Sequence, residues 1–227
     1  MTCEMPPGFR NSHLMLRLIL VRHGQTDANL NRVLQGQSDG LLNATGLRQA
    51  EALAGHLKEF AVDQIISSPL RRAQETASAV ARYHGLPVKT EVLLREWNCG
   101  MLDGVPAEVF RKKLQEYNGP LSLFRPEGGE TLLEVQQRAA EFLVHLTANY
   151  QGQTVLVCTH GDFMRSLMSL LQQITIEKAS EIFFENASYS TLELENRRWH
   201  LIELNRLPGM GELFASGHAH SQDKHER

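Results

Sequence analysis

The chain has 227 residues, 42% hydrophobic and 22% charged, with a formal net charge of −3. This is the composition of a globular chain, long enough for one large domain or two small ones, and its charge argues against a broad basic face for nucleic acid. No run approaches the roughly 20 apolar residues that span a bilayer, and the three cysteines, Cys3, Cys99 and Cys158, form no close pair, which excludes a disulfide framework and fits a reducing compartment.

Residues 1–15 carry prolines and polar groups and no apolar signal-peptide core, so they read as a loose leader and the cytoplasm is the expected location. Residues 16–21 form a first strand, whose apolar run Leu18-Ile19-Leu20-Val21 has the content of a buried strand and ends in Arg22-His23-Gly24. Residues 27–42 are a long polar connection, and long connections often carry function. Asn43 then caps a helix whose inward positions are Leu47, Ala50, Leu53, Ala54 and Leu57. A second strand is expected over 62–66. Ser67-Ser68-Pro69 follows, with the proline as first helical residue, and Leu70, Ala73, Ala77, Val80 and Ala81 form that helix's buried stripe up to Gly85.

A third strand, 88–94, leads to Arg95-Glu96. Residues 97–129 are irregular, broken by glycine and proline, with one short helix near 106–117. Thr131 and Glu134 form a capping-box pair that opens a long helix with Leu132, Val135, Ala139, Phe142, Leu143 and Leu146 inward. A fourth strand, 154–158, ends at Thr159-His160-Gly161, and a further helix buries Phe163, Met164, Leu167, Met168 and Leu171, with Cys158 as a small core residue. Residues 188–204 alternate about Glu195-Asn196-Arg197 as an antiparallel hairpin. Residues 209–227 are a polar tail. The alternation of strands and helices predicts one domain over 16–208, a three-layer α/β/α sandwich with a mainly parallel sheet.

Arg22, His23, Arg72, Glu96 and His160 all follow predicted strands, so parallel strands bring them to one edge, where open α/β sheets bind ligands. Unpaired buried charge is expensive, and a bound anion resolves that cost. Two arginines, imidazoles and the helix-start N–H at Gly161 suit a phosphoryl group. An imidazole can attack phosphorus directly. Glu96, the one carboxylate in the set, is placed to protonate the leaving oxygen and then deprotonate water. The cationic groups neutralise the phosphoryl group, so neither metal nor cofactor is required.

These residues carry a family resemblance. Arg22-His23-Gly24-Gln25-Thr26, Asn29, Gln35-Gly36-Gln37-Ser38-Asp39, Ser67-Ser68-Pro69-Leu70-Arg71-Arg72-Ala73-Gln74-Glu75-Thr76, Leu94-Arg95-Glu96 with Gly100 and Asp103-Gly104, Gly128-Gly129-Glu130-Thr131 and Thr159-His160-Gly161 resemble, in order, the signatures of the histidine phosphatase (phosphoglycerate mutase-like) superfamily. The resemblance implies His23 as nucleophile, Glu96 as proton donor, and Arg22, Arg72 and His160 as the phosphate pocket. It adds Asn29, Gln35, Gly36 and Gly161 as substrate contacts. Asp103, Glu127 and Asp162 depart from the usual pattern, and Asp162 is expected to repel a polyanionic substrate. The segment after Glu96 is short, which resembles the TIGAR-like fructose-2,6-bisphosphatase and broad-specificity phosphatase branch more than the glycolytic mutases.

The ten histidines show no metal-ligand spacing. His56, His84 and His145 read as surface or capping groups, and the tail pair His218 and His220 as a weak metal binder at most. Arg111-Lys112-Lys113 reads as a solvated face in preference to a second phosphate site, because consecutive helical residues diverge. The expected partner is a small phosphorylated metabolite, with no nucleic acid and no membrane; the oligomeric state is open, a dimer included. A phosphatase is the leading expectation. A phosphoglycerate mutase, or a catalytically silent binding protein on the same fold, is the alternative.

Overall fold

The structure, a computed structural model, describes residues 15–208. The elements run β1 (Leu16–Arg22), α1 (Asp27–Leu30), α2 (Ala44–Leu57), β2 (Gln64–Ser67), α3 (Arg71–His84), β3 (Val88–Thr90), α4 (Ala107–Glu116), α5 (Leu132–Asn149), β4 (Thr154–Thr159), α6 (Gly161–Leu171), α7 (Ile176–Ser180), β5 (Tyr189–Glu195) and β6 (Arg198–Arg206). They form one six-stranded sheet in the order β3-β2-β4-β1-β5-β6. Strands β1 to β4 run parallel, while β5 and β6 are an antiparallel hairpin added beside β1. The expected mainly parallel α/β sheet flanked by helices is therefore present. The cysteine, the histidine pair and the polar tail expected at Cys3, His218, His220 and 209–227, and all but the last residue of the 1–15 leader, lie outside the described residues. Among the described residues no helix is long and apolar enough to cross a membrane.

Both faces of the central strands are covered, which is why β1 and β4 read as unbroken apolar runs. Leu16, Leu18 and Leu20 of β1 and Val155 and Val157 of β4 pack with Phe142, Phe163 and Leu167 of α5 and α6. Their alternates, Ile19, Val21, Leu156 and Cys158, pack with Leu53, Leu57, Ala77 and Val80 of α2 and α3. The period of two sorts each strand between two cores.

Several elements differ from the sequence expectation. Helix α3 starts at Arg71 with Leu70 as its N-cap, not at Pro69, and the Ser68 hydroxyl is bonded elsewhere, as described below. The third strand stops at Thr90, because the Glu91 carboxylate accepts the Leu93 N–H and turns 92–94 into a single 3-10 turn. Leu47 is exposed; α2 instead lays Gly46 against the β1–α1 loop, where a Cβ would stand 2.1 Å from the Gln25 carbonyl oxygen. Helix α1, capped reciprocally by Thr26 and Asn29, and helix α7, capped by Thr175, fall in stretches with no helix expected. The Thr131–Glu134 capping box of α5 and the Gly85 cap of α3 form as expected. The hairpin turn has both Asn196 (φ 52) and Arg197 (φ 64) left-handed, the conformation that a two-residue turn between twisted strands demands.

The Gly46 contact yields a test. Gly46→Ala forces the loop that follows His23 away from α2, and overpacking of this kind costs roughly 1–3 kcal/mol. Urea denaturation should show that loss together with reduced catalytic turnover. Unchanged stability and turnover would mean the loop yields freely.

Candidate active site

The parallel register aligns three strand ends. Arg22 of β1 pairs with Thr159 of β4, and Ser67 of β2 pairs with Cys158 of β4. The next residues, His23, Ser68 and His160, therefore emerge side by side at the carboxyl edge. His23 extends the ladder, its N–H donating to the Thr159 carbonyl at 3.0 Å.

The His23 ring is buried, with Nδ1 2.7 Å from the Gly24 carbonyl oxygen. A carbonyl only accepts, so Nδ1 carries the proton and Nε2 keeps its lone pair. Burial holds the imidazole pKa well below its usual value, reinforced by Arg72 and Arg22. His23 is thus a neutral, oriented imidazole with Nε2 unprotonated. The surrounding loop is fixed from three sides. Gly24 N–H donates to Thr76 Oγ1 (3.0 Å), which itself donates to the Arg72 carbonyl (2.8 Å). Asn186 Nδ2 donates to the carbonyl of His23 and to Asn29 Oδ1, both at 3.1 Å.

Arg22 and Arg72 flank the histidine. Arg22 Nη1 donates to the Phe184 carbonyl at 2.5 Å. Arg72, fully buried in the first turn of α3, donates to the carbonyls of Ser38 (2.9 Å) and Gly36 (2.7 Å). Burial lowers the pKa of both guanidinium groups. The Gln35–Ser38 loop is clasped by Asp103, which accepts from Gly36 N (3.3 Å), Ser38 N (3.0 Å) and Ser38 Oγ (2.9 Å). Gln35 Oε1 accepts from Thr26 Oγ1 at 2.8 Å. The His160 ring lies 5.1 Å from that of His23, fully buried, and its pKa is also held well below the usual value, first by burial and then by Arg72. Arg22 Nε, Arg72 Nε and His160 Nδ1 are buried with no hydrogen-bond partner among the described residues.

Glu96 arrives by a different route. With β3 ending at Thr90, it sits on a loop, not at a strand end. Arg138 of α5 pins that loop by donating to the carbonyls of Leu93, Arg95 and Glu96 while paired with Glu130 at 2.7 Å. The carboxylate faces the start of α6: Oε1 accepts from Trp97 N (2.9 Å), Asp162 N (3.1 Å) and Phe163 N (3.3 Å). Burial pushes its pKa up to about 7, aided by the Asp162 carboxylate and opposed by the Trp97 N–H and Arg72. Such a group is a carboxylic acid and a carboxylate in comparable amounts near neutrality, which suits a proton donor that later becomes a base. Asp162, expected to repel a polyanion, is paired with Arg165 at 2.8 Å, so the two add no net charge.

A cavity of about 170 Å³ opens onto this edge, lined by Arg22, His23, Asn29, Gln35, Gly36, Glu96 and Gly161, with Asp162 and Arg165 at its wall. A Cβ on Gly161 would stand 3.8 Å from Arg22 Nε and 3.9 Å from Glu96 Oε2, so this glycine keeps the space between acid and arginine open. Arg72 and His160 stand beside His23 as buried neighbours, outside the cavity lining. All nine site residues expected from the sequence therefore belong to one region. Ser68, Asn186, Arg138 and the Asp162–Arg165 pair, which hold the machinery in place, were not expected in these roles. In the sequence Ser68 stands just before the expected helix start, where a serine signals a cap, and Asn186 and Arg138 carry no local signal. Of the histidines read as surface or capping groups, His56 is half-buried and bonded to the Tyr189 hydroxyl at 3.0 Å.

A parallel sheet that brings two histidines, two arginines and a protonatable carboxyl group to one edge is the frame of a phosphoric monoester hydrolase. The model of the histidine phosphatase superfamily (branch 1) matches residues 18–207, and the chain belongs to that superfamily. It is 33% identical over 209 residues to phosphoserine phosphatase 1 of Hydrogenobacter thermophilus, covering 90% of this chain and 99% of that protein. It is 33% identical over 190 residues to a probable phosphoglycerate mutase of Yersinia enterocolitica, covering 82% and 88%. A solved mycobacterial glucosyl-3-phosphoglycerate phosphatase superposes with a TM-score of 0.75 at 28% identity, over 84% of this chain and 99% of that one.

The Glu96 environment predicts a pH-dependent cost to stability. A carboxyl group whose pKa is raised on folding binds its proton more tightly in the folded state, so stability falls as pH rises from about 4.5 to about 7 and is level above. Glu96→Gln should remove a penalty on the order of 3 kcal/mol at pH 8 and none at pH 4. Thermal melts of both proteins at the two pH values check this; an equal shift at both would contradict it.

Proposed function

We propose that this chain is a metal-independent phosphatase of small phosphomonoesters, acting through a phosphohistidine on His23 with Glu96 as acid and then base. The observation that carries the reading is the His23 ring. Its Nδ1–H is committed to the Gly24 carbonyl and its Nε2 is left bare, in a ring 5.1 Å from that of His160 and within the field of Arg72 and Arg22, whose Nε groups, like His160 Nδ1, are buried and unpartnered among the described residues.

In the first step Nε2 attacks phosphorus, the P–O bond to the leaving group breaks, and the departing oxygen takes the Glu96 proton. The ring becomes cationic while Nδ1–H stays on Gly24. In the second step Glu96 takes a proton from water, the hydroxide oxygen bonds to phosphorus, and the P–N bond breaks to restore neutral His23. Arg22, Arg72 and His160 hold the non-bridging oxygens as charge redistributes. Asn29, Gln35, Gly36 and Gly161 shape the cavity around the rest of the substrate.

The cavity is smaller than the roughly 300–1,000 Å³ of drug-sized ligand sites, which supports a compact leaving group. The relatives named for phosphoserine and glucosyl-3-phosphoglycerate support a small phosphorylated metabolite. The resemblance to the TIGAR-like branch adds sugar phosphates and bisphosphates as candidates. The two buried free thiols, Cys99 and Cys158, suit the cytoplasm. A mutase reading is favoured by the relative named a probable phosphoglycerate mutase, and it would appear as phosphoglycerate interconversion dependent on a bisphosphoglycerate primer.

Leaving-group dependence tests the roles. Glu96→Gln should slow phosphorylation of the enzyme by a sugar phosphate roughly 10²–10⁴-fold, the usual size of general acid catalysis. With p-nitrophenyl phosphate, whose leaving group needs no proton, the variant should release a burst of p-nitrophenol and then turn over slowly. Arg72→Ala should harm both substrates alike. Equal damage to both phosphorylation steps in Glu96→Gln would make Glu96 an electrostatic group and not the acid.

A further inference from the structure

We propose that Ser68 is a positioning residue for His160: its hydroxyl donates to Nε2 and so fixes the tautomer in which Nδ1 carries the proton that His160 offers to the substrate. The identity of that acceptor as a phosphoryl oxygen rests on the function proposed above; the tautomer assignment does not.

Ser68 and His160 are both fully buried, with Ser68 Oγ 2.8 Å from His160 Nε2. The serine is placed by the sheet, since its N–H donates to the Cys158 carbonyl at 2.9 Å and carries the β2–β4 ladder one residue beyond Ser67. Its Oγ also accepts from Leu70 N–H at 3.3 Å. No other partner of this hydroxyl is present among the described residues, so the direction of the 2.8 Å bond follows from counting protons. If Nε2 carried the hydrogen, Oγ would accept twice, the hydroxyl proton would have no acceptor, and Nδ1 would keep a buried, unpaired lone pair. With the hydrogen on Nδ1, the hydroxyl donates to Nε2 and every group but one is satisfied. The exception is the Nδ1–H itself, buried and without a partner beside the equally unpartnered Nε groups of Arg22 and Arg72. Burial and the nearby charges of Arg72, Arg22 and Arg138 all act against a second proton, which supports a neutral ring with a single proton to place.

The two histidines thus carry their protons on the same nitrogen with opposite results. His23 turns Nδ1–H away to Gly24 and exposes a lone pair. His160 turns its lone pair away to Ser68 and leaves Nδ1–H without a protein partner. One imidazole is set as a nucleophile and the other as a hydrogen-bond donor, neither needing to be charged, and Ser68 is what separates them.

Long-range ¹H–¹⁵N spectra of histidine-labelled protein at neutral pH, with His160→Gln identifying the signal, read the tautomer directly. Wild type should show His160 with Nδ1 protonated and Nε2 bare; the reverse overturns the proposal. Ser68→Ala should shift His160 to a mixed or reversed tautomer and weaken orthovanadate inhibition about tenfold, the effect of one lost neutral hydrogen bond. Ser68→Thr, which keeps the hydroxyl, should restore both. An unchanged tautomer and unchanged vanadate affinity in Ser68→Ala contradict it. If Ser68→Ala does not fold, the spectra of wild type and Ser68→Thr decide alone. A wild-type protein with the expected tautomer and no affinity for vanadate would instead defeat the phosphatase reading.

Discussion

Burying a guanidinium group without a carboxylate in direct contact is expensive, and the rest of this structure depends on doing so next to a neutral histidine. Arg72 has no exposed surface. It is held by the carbonyls of Gly36 and Ser38, and Arg22 by that of Phe184. Carbonyl dipoles orient a cation without neutralising it. The positive potential is therefore kept for a ligand, and together with burial, the larger cause, it keeps His23 and His160 unprotonated. In the proposed reaction, the same field that attracts a phosphoryl dianion helps to keep the attacking imidazole neutral.

The machinery is arranged by register. Three adjacent parallel strands end within one residue of each other, so His23, Ser68 and His160 share an edge without any loop having to find them. Glu96 is the exception, and its difference is chemical as well as topological. It is delivered by a loop that Arg138 clamps through three carbonyls, and it rests against the first N–H groups of α6. Those donors favour a carboxylate, yet burial and Asp162 outweigh them. The result is a group poised between acid and base, set by competing contributions that a strand end would not supply.

The sequence made the mainly parallel sheet and its central groups legible, because Arg22, His23 and His160 directly follow apolar runs that are strands buried on both faces. Polar residues at such ends have few explanations other than a site. What stayed hidden depends on tertiary contacts. Residues 88–94 are apolar enough for a long strand, but Glu91 folds back onto Leu93 and ends it. Leu47 has helical spacing with its neighbours, yet the close approach of Gly46 to the Gln25 carbonyl turns the helix so that Leu47 faces out. Helices α1 and α7 are too short for a periodic signal, although the Thr26–Asn29 cap is visible in retrospect. Ser68 occupies a plausible capping position and acts instead across the sheet on a residue 92 positions away, a distance at which local patterns carry no information. Asp162, taken alone, is a repulsive charge, but it is paired in space with Arg165 three residues on.

The account centres on covalent transfer to one nitrogen of one residue. Rapid quench of the enzyme with ³²P-labelled substrate, followed by peptide mapping, tests it most directly. The account predicts a label on His23 that survives alkali and is lost in acid, and that is absent from His23→Ala, whose turnover falls by at least ~10⁴, the scale of a lost nucleophile. An acid-stable label on another residue, or no label during rapid turnover, would contradict it.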